Sequence, residues 1–371
     1  MTKSKAKTTP PPNKLPLSLP SEYPDPWIQA QHLRGNPPQA ILDQLGIKAY
    51  PTDLLKWSKE ALLKEFGRGA APKNINKSLF IKNVIWQTYQ RMQAGEKPFD
   101  VGNIRSFWYH IKDTMDRVGA TRKGDGYAIV SDMFVLMVRA GLFKYRDFGF
   151  EDDDKGNRWL GSTFAHVILF AEKTSYTDFL QEMNREYDIT TLAAGGQTSY
   201  LSCEYFVTEL ATQGINLKQP FIIFTIVDFD PAGDTIAARF IENLKDNGIK
   251  NFHLFPLPIS PSKKLPRKDL VTPAYMNPEQ CKRVFRIPLA VRRSGRAQTW
   301  ANQTGGVNGK KDPMWGIETI VMPKAQMRQV FEQELSQVIH IDPEPIAKRR
   351  HMRELRTQLN AWALHKLQQQ T

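Results

Sequence analysis

The period of the apolar positions changes part-way along the chain. Between residues 52 and 142 they recur at helical spacing, and from residue 164 they gather into short continuous runs separated by helical stretches. Thr52-Asp53 offers a cap for a helix running from Leu54 through Phe66, which Gly67-Arg68-Gly69 breaks. Leu79, Ile81, Val84, Ile85, Tyr89 and Met92 predict an amphipathic helix from Lys77 to Met92, ended by Gly95 and Pro98. Ile104, Phe107, Trp108, Ile111 and Met115 share one face of a further helix at about 100° per residue. Ser131 to Leu142 predicts a short apolar helix ended by Gly141. Phe143 to Phe148, followed by an acidic turn at 151–157, read as short aromatic strands with a turn. Helices followed by such strands predict a winged helix, whose recognition helix reads DNA.

The second half predicts a different architecture. His166 to Ala171, Ile189 to Ala193, Phe221 to Thr225 and Asn251 to Phe255 read as strands. Helices lie between them, through Tyr187, from Cys203 to Gln213 and from Thr235 to Leu244. That alternation predicts a parallel sheet with helices on its faces. Phe221 to Thr225 is apolar or β-branched throughout, as in a strand buried on both sides. It leads into Asp228-Phe229-Asp230, at the strand edge where open α/β sheets bind ligands. In an extended segment these two carboxylates converge on one hard cation such as Mg²⁺, which keeps its other positions for water and phosphate oxygens. Glu172 follows an earlier strand, so near-neighbour strands would bring three acids together. The competing expectation is that one aspartate caps the next helix. Asp234, one turn after Asp230, is expected either to bind a second ion or to cap the helix. Gly316 to Val321 reads as a strand and Lys324 to Ile339 as a helix. A last amphipathic helix carries Leu355, Leu359 and Trp362 behind Lys348-Arg349-Arg350, and is expected to pack on its own domain, with a partner as the alternative.

Composition narrows the partners. The chain has 371 residues, 51 Lys and Arg against 38 Asp and Glu, and a net charge of +13. Such a balance points to a polyanion, nucleic acid first. Between residues 256 and 315, Lys263-Lys264, Arg267-Lys268, Arg292-Arg293, Arg296 and Lys310-Lys311 surround Trp300, a composition suited to a phosphate-lined groove. Two cysteines, Cys203 and Cys281, exclude a disulfide framework and a Cys-x-x-Cys zinc site, which fits a reducing cytosol. No run of about 18 apolar residues exists, so no membrane-spanning helix is expected. The basic N-terminus lacks the apolar core of a secretory signal. Residues 1–38 hold nine of the 25 prolines and read as a disordered arm. The expected domains are that arm, a winged-helix domain at 39–160, a metal-binding domain at 161–345 with a basic loop insertion, and a basic C-terminal helix at 346–371. The acidic run at 151–157 has no ligand at the twelfth position, which excludes an EF-hand calcium loop.

Tyr109 lies off the apolar stripe of its helix, on the polar side with Arg105, Lys112 and Asp116. Flanking cations favour phenolate and hold a phosphodiester. The plain alternative is an exposed tyrosine among ordinary salt-bridge partners.

Two motifs together resemble the A subunit of type IIB topoisomerases (topoisomerase VI) and the related meiotic double-strand-break transesterase. One is Phe170-Ala171-Glu172-Lys173 with Val227-Asp228-Phe229-Asp230-Pro231-Ala232-Gly233, similar to the acids of that family's Toprim fold. The other is Arg105-Ser106-Phe107-Trp108-Tyr109, similar to the family's nucleophile signature, with Ser106 where the family has an acid. The loop Gly195-Gly196-Gln197-Thr198-Ser199 resembles the one after the family's second Toprim strand, without its proline-acid pair.

The resemblance implies a mixed α+β and α/β chain, a winged helix ahead of a Toprim Rossmann-like parallel sheet. It implies Tyr109 as nucleophile, Arg105 in support, and Mg²⁺ held by Glu172, Asp228 and Asp230. Double-stranded DNA would be cut by transesterification, leaving 5′-phosphotyrosyl ends. Tyrosine and metal would come from different protomers of a homodimer, and strand passage would need an ATPase B-type subunit. Lys112, Lys173, Arg292 and Arg293 are the expected DNA contacts, and the expected location is cytoplasmic and nucleoid-associated. Two other readings stay open. One is a hydrolytic Toprim nuclease acting on plasmid or foreign DNA, and the other a non-catalytic DNA-binding protein.

Overall fold

The computed structural model describes residues 39–69, 72–98, 102–119, 126–196, 198–257, 284–286, 315–340 and 342–368. The chain forms two compact units, one ending at Glu151 and the other beginning at Asp152. The Pro-rich arm and the basic pair Arg292 and Arg293 lie outside the described residues.

The first unit is helical. It contains α1 (Gln39–Leu45), α2 (Lys59–Phe66), α3 (Lys77–Gln93), α4 (Ile104–Arg117) and α5 (Gly126–Arg139). The expected helix from Leu54 to Phe66 is two elements. Asp53 caps a 3-10 turn at Leu54–Lys56 by accepting the Leu55 N–H, and the Ser58 hydroxyl then caps α2 by accepting the Ala61 N–H at 3.2 Å. A residue acting as a cap has extended backbone, so Ser58 cannot also continue a helix from Leu54. α4 buries Phe107, Ile111 and Met115, as its stripe predicts, and half-buries Ile104 and Trp108. α5 starts earlier than expected, at Gly126, where a Cβ would stand 2.1 Å from the Trp108 ring, so only glycine permits that approach.

The aromatic segment does not form strands. Tyr145–Phe148 is a 3-10 helix, and Phe143, Tyr145, Phe148 and Phe150 are all buried around Phe134. Strand alternation turns successive residues to opposite faces, whereas this turn directs all four rings inward. Among the described residues of this unit, the extended pairing is an isolated bridge between Gly67 and Ile75. The strands expected to form a wing at 143–148 are therefore absent.

The second unit is an α/β sheet. Its elements run β1 (Arg158–Trp159), β2 (Phe164–Ala171), α6 (Thr177–Tyr187), β3 (Ile189–Ala193), α7 (Tyr200–Thr212), β4 (Phe221–Ile226), α8 (Pro231–Asp246) and β5 (Phe252–Pro256). After them come β6 (Val284–Arg286), β7 (Trp315–Ile317), α9 (Lys324–Val338) and α10 (Pro343–Gln368). The sheet order is β1-β3-β2-β4-β5, parallel except for the short antiparallel edge β1, and β6 pairs antiparallel with β7. Val167, Leu169 and Ala171 face a core shared with α6 and α9, and Ile168 and Phe170 face one shared with α7 and α8. The central strands β2, β3 and β4 are thus covered on both sides, while the edge strand β5 leaves His253 and Leu254 exposed.

The connections set the site. β2 leads through α6 to β3 on one side of it, while β4 leads through α8 to β5 on the other. α6 and α8 lie on opposite faces. The loops leaving the adjacent strands β2 and β4 therefore diverge, and the gap between them is a topological switch point, where α/β sheets hold ligands.

α10 is anchored at its start. Arg349 donates to the Glu186 carbonyl at 2.9 Å, and Arg350 joins Glu186 and Glu332. Beyond that, Met352, Leu355, Leu359 and Trp362 are exposed. No described helix is long and apolar enough to cross a membrane.

Candidate acidic site at the sheet edge

Glu172 is the first residue after β2 and Asp228 the second after β4. Because the two strands pair in register, Ala171 beside Ile226, their following residues meet. The Glu172 N–H donates to the Ile226 carbonyl at 2.9 Å, and Glu172 Oε2 accepts the Asp228 N–H at 2.9 Å. The two expected acids are therefore joined by a direct hydrogen bond across the switch point.

Asp228 is only 7% exposed. Its Oδ1 accepts both the N–H and the hydroxyl of Thr319, at 2.8 and 3.0 Å, and its Oδ2 lies 2.6 Å from Lys173 Nζ. The same ammonium is 3.3 Å from Glu318. Thr319 is fully buried and opens a 3-10 turn, Thr319–Val321. The strand expected over 316–321 therefore stops at Ile317, since the Thr319 N–H is committed to Asp228 rather than to a ladder.

Asp230 is the N-cap of α8. Its Oδ1 accepts the Gly233 N–H at 2.6 Å, with Pro231 at the first helical position. The capping expectation is met at Asp230, and Asp228 is left to the site. Gly233 has its own reason: a Cβ there would lie 2.1 Å from the Asp228 carbonyl oxygen. The Asp-Pro-x-Gly sequence thus folds the helix start tightly over Asp228 and holds Asp230 beside it.

Burial raises the Glu172 carboxyl above the ordinary carboxylate range, and the charges of Asp228 and Asp230 add to it. Asp230 is raised by burial first and then by Asp228. Asp234 is raised by burial. Lys173 moves the other way: burial opposes its charge, but Asp228 and Glu318 outweigh that and keep the ammonium protonated beyond its usual range. Tyr176 is buried within reach of the same charges, its phenol pushed up to about 12 by burial.

The donor set suits a hard divalent cation in kind: carboxylates converge at one edge and carry unbalanced negative charge. It is not assembled as a coordination shell. Among the described residues, no three acidic, histidine or cysteine side chains are grouped so as to hold one ion. The ammonium of Lys173 occupies the outer oxygen of Asp228 instead. As they stand, Glu172, Asp228 and Asp230 match such an ion in the chemistry of their donors and not in their grouping.

Tyr109 projects from α4 with 63% of its surface exposed. Its expected cationic companions are engaged elsewhere. The Arg105 guanidinium lies 5.4 Å from the centroid of the Tyr127 ring, and Lys112 pairs with Asp116 at 2.6 Å. Lys173, expected as a DNA contact, is instead part of the acidic cluster. Glu318, Thr319 and Tyr176 were not expected in the site. Their one sequence signal is the polar pair Glu318-Thr319 interrupting an otherwise apolar run. No family model matches the chain, and no curated protein matches it.

Proposed function

We propose that this chain is a Toprim-type enzyme that cleaves double-stranded DNA by tyrosine transesterification. The observation that carries the reading is the hydrogen-bonded meeting of Glu172 with Asp228, beside Asp230, at the switch point between β2 and β4. A pure DNA binder gains nothing from negative charge facing phosphate, so three gathered acids favour phosphoryl chemistry. In this reading the second unit is a Toprim fold, and the helical first unit presents Tyr109 to DNA.

The Tyr109 oxygen attacks a backbone phosphorus, the bond from phosphorus to the 3′ oxygen breaks, and that oxygen leaves as a hydroxyl. The product is a 5′-phosphotyrosyl end, and reversal reseals the strand. Glu172, Asp228 and Asp230 are the residues that would hold Mg²⁺, which would supply positive charge against the phosphate and the leaving oxygen. Arg105 turns from Tyr127 to neutralise the phosphate under attack. A homodimer cuts both strands. Strand passage requires an ATP-hydrolysing partner subunit.

A hydrolytic reading has one observation in its favour, the engagement of Arg105 with Tyr127 and of Lys112 with Asp116. In that reading water attacks, and Tyr109 takes no part in the chemistry. Supercoiled plasmid incubated with the protein and Mg²⁺, then quenched with detergent, separates the two. Linear DNA released only after protease treatment supports the tyrosine reading. Linear DNA free of protein supports hydrolysis, and no cleavage with or without Mg²⁺ overturns both.

A further inference from the structure

α10 leaves its own unit after its first turns. Ile346 packs against the core shared by α6 and α9, and Arg349 and Arg350 hold Glu186. From Glu354 to Ala363 every side chain is exposed. A helix draws most of its stability from packing, so this stretch lacks what ordinarily holds one. Its apolar positions Met352, Leu355, Leu359 and Trp362 are spaced three, four and three residues apart, with Leu359 63% and Trp362 61% exposed. That spacing draws a narrow stripe along the helix, a seam that takes another helix.

The stripe runs into a groove of about 1140 Å³ between α10 and the end of α6. Met352, Leu355 and Leu359 lie along it, and cations edge it, Lys348 and Arg356 from α10 and Arg185 from α6. Glu186 lines it too, but that carboxylate is already engaged by Arg328 and Arg350. Arg185 turns to the neutral Gln181 at 3.2 Å, and among the described residues Arg356 pairs with no acid. An apolar seam edged by uncompensated positive charge is complementary to a helix with an apolar row and acidic flanks.

We propose that the free face of α10 is a docking surface for an acidic amphipathic helix of another protein. This surface does not depend on the cleavage reading. Charge decides against a second copy as the occupant. From Lys348 to Trp362 the chain carries four arginines and one lysine against one acid, Glu354, so two such helices set like charge against like. Nucleic acid would satisfy the cations but gains nothing from four exposed apolar side chains. A lipid surface is flat, and the end of α6 walls one side of the groove.

The probe is a fluorescent synthetic peptide about three heptads long, with Leu at the a and d positions and Glu at e and g. Its glutamates repel its own copies and keep it monomeric. A matched peptide carries Lys at e and g. Fluorescence anisotropy with the full chain is expected to show the Glu peptide bound at least about tenfold more tightly than the Lys peptide. Leu359→Ser combined with Trp362→Ser, both at exposed positions and so expected to keep the natural fold by circular dichroism, weakens the Glu peptide by more than about thirtyfold. Arg356→Glu is expected to weaken it about fivefold or more and to strengthen the Lys peptide. Lys218→Glu, at an exposed lysine before β4, is expected to change neither by more than about twofold.

Equal binding of the two peptides, none included, overturns the docking surface, as does Glu-peptide binding indifferent to the Leu359 and Trp362 substitutions. A natural chain that sediments as a dimer while that variant sediments as a monomer gives the face to a second copy and overturns it. So does binding of a DNA duplex, or of anionic phospholipid vesicles, that is lost in the same variant.

Discussion

Glu172 Oε2 accepts the backbone N–H of Asp228 at 2.9 Å, tying the ends of two parallel strands that are 56 residues apart in sequence. The bond gives Glu172 two separable roles, an acceptor for the frame and an acid for the site. Glu172→Gln keeps a carbonyl acceptor and loses the charge. It is expected to melt within a few degrees of the natural protein by circular dichroism, while Mg²⁺-dependent cleavage falls by two orders of magnitude or more. Glu172→Ala strands a buried N–H and is expected to lose about 1–3 kcal/mol of stability as well. Equal melting of the two variants would show that the hydrogen bond does not matter to the fold.

Asp230 separates in a similar way, because it is both the cap of α8 and a proposed ligand. Asp230→Asn retains a capping oxygen, and Asp230→Ala removes it at a cost of about 1 kcal/mol. Urea unfolding is expected to rank the natural chain and Asn together above Ala. Cleavage assays are expected to find both variants inactive.

Gly233→Ala is a steric test of the turn. With the Asp228 carbonyl 2.1 Å from the new Cβ, backbone must move, and it is the backbone that carries both aspartates. Overpacking of this kind costs roughly 1–3 kcal/mol. The melting temperature is expected to drop, and cleavage to fall further than the stability loss explains.

Tyr109 makes the opposite prediction. It is largely exposed, so Tyr109→Phe is expected to leave stability within about 0.5 kcal/mol. Protein-linked DNA trapped by detergent is expected to vanish. Persistence of the adduct would exclude Tyr109 as the nucleophile.

Acid stability is expected to depend on Asp188, a residue in left-handed conformation at φ 56°. Burial alone would raise its carboxyl, but hydrogen bonds from the backbone and hydroxyls of Ser162 and Thr163 outweigh burial and hold it below the ordinary range. A depressed carboxyl binds fewer protons folded than unfolded, so stability rises with pH across the gap. Its contribution is complete above the unfolded value of about 3.9 and is lost as pH falls through the folded one. Asp188→Asn is expected to flatten urea stability between about pH 5 and the acid limit. An unchanged slope would contradict the assignment.

Much of the sheet was legible in the sequence because its central strands β2, β3 and β4 are short runs of mainly apolar or β-branched residues, and burial on both faces admits little else. Ile189–Ala193 forms where its pattern places it. The helix at Lys77 and the end of the helix at Tyr187 follow from periodicity and capping in the same way. The aromatic segment misled because four rings within eight residues satisfy strand propensity, while only tertiary packing around Phe134 shows that all of them must point inward. The break at Ser58 came from a second cap: Asp53 and Ser58 each accept a backbone N–H, so one apolar pattern is divided between two short elements.

By itself, the sequence determined which acids would stand at a strand edge, since Glu172 and Asp228 each follow a buried strand and strand ends are fixed by where the apolar run stops. It could not determine what faces them. Strand order placed β2 against β4, and a turn 91 residues beyond Asp228 supplied Thr319. Lys173, adjacent to Glu172 in sequence, reads as a DNA contact, and only the position of Asp228 gives its charge a partner within the site. Local pattern fixes what a residue can do, and long-range contacts decide with which neighbour, because a charge buried at one end of a sheet takes its counter-ion from whatever the fold brings within reach.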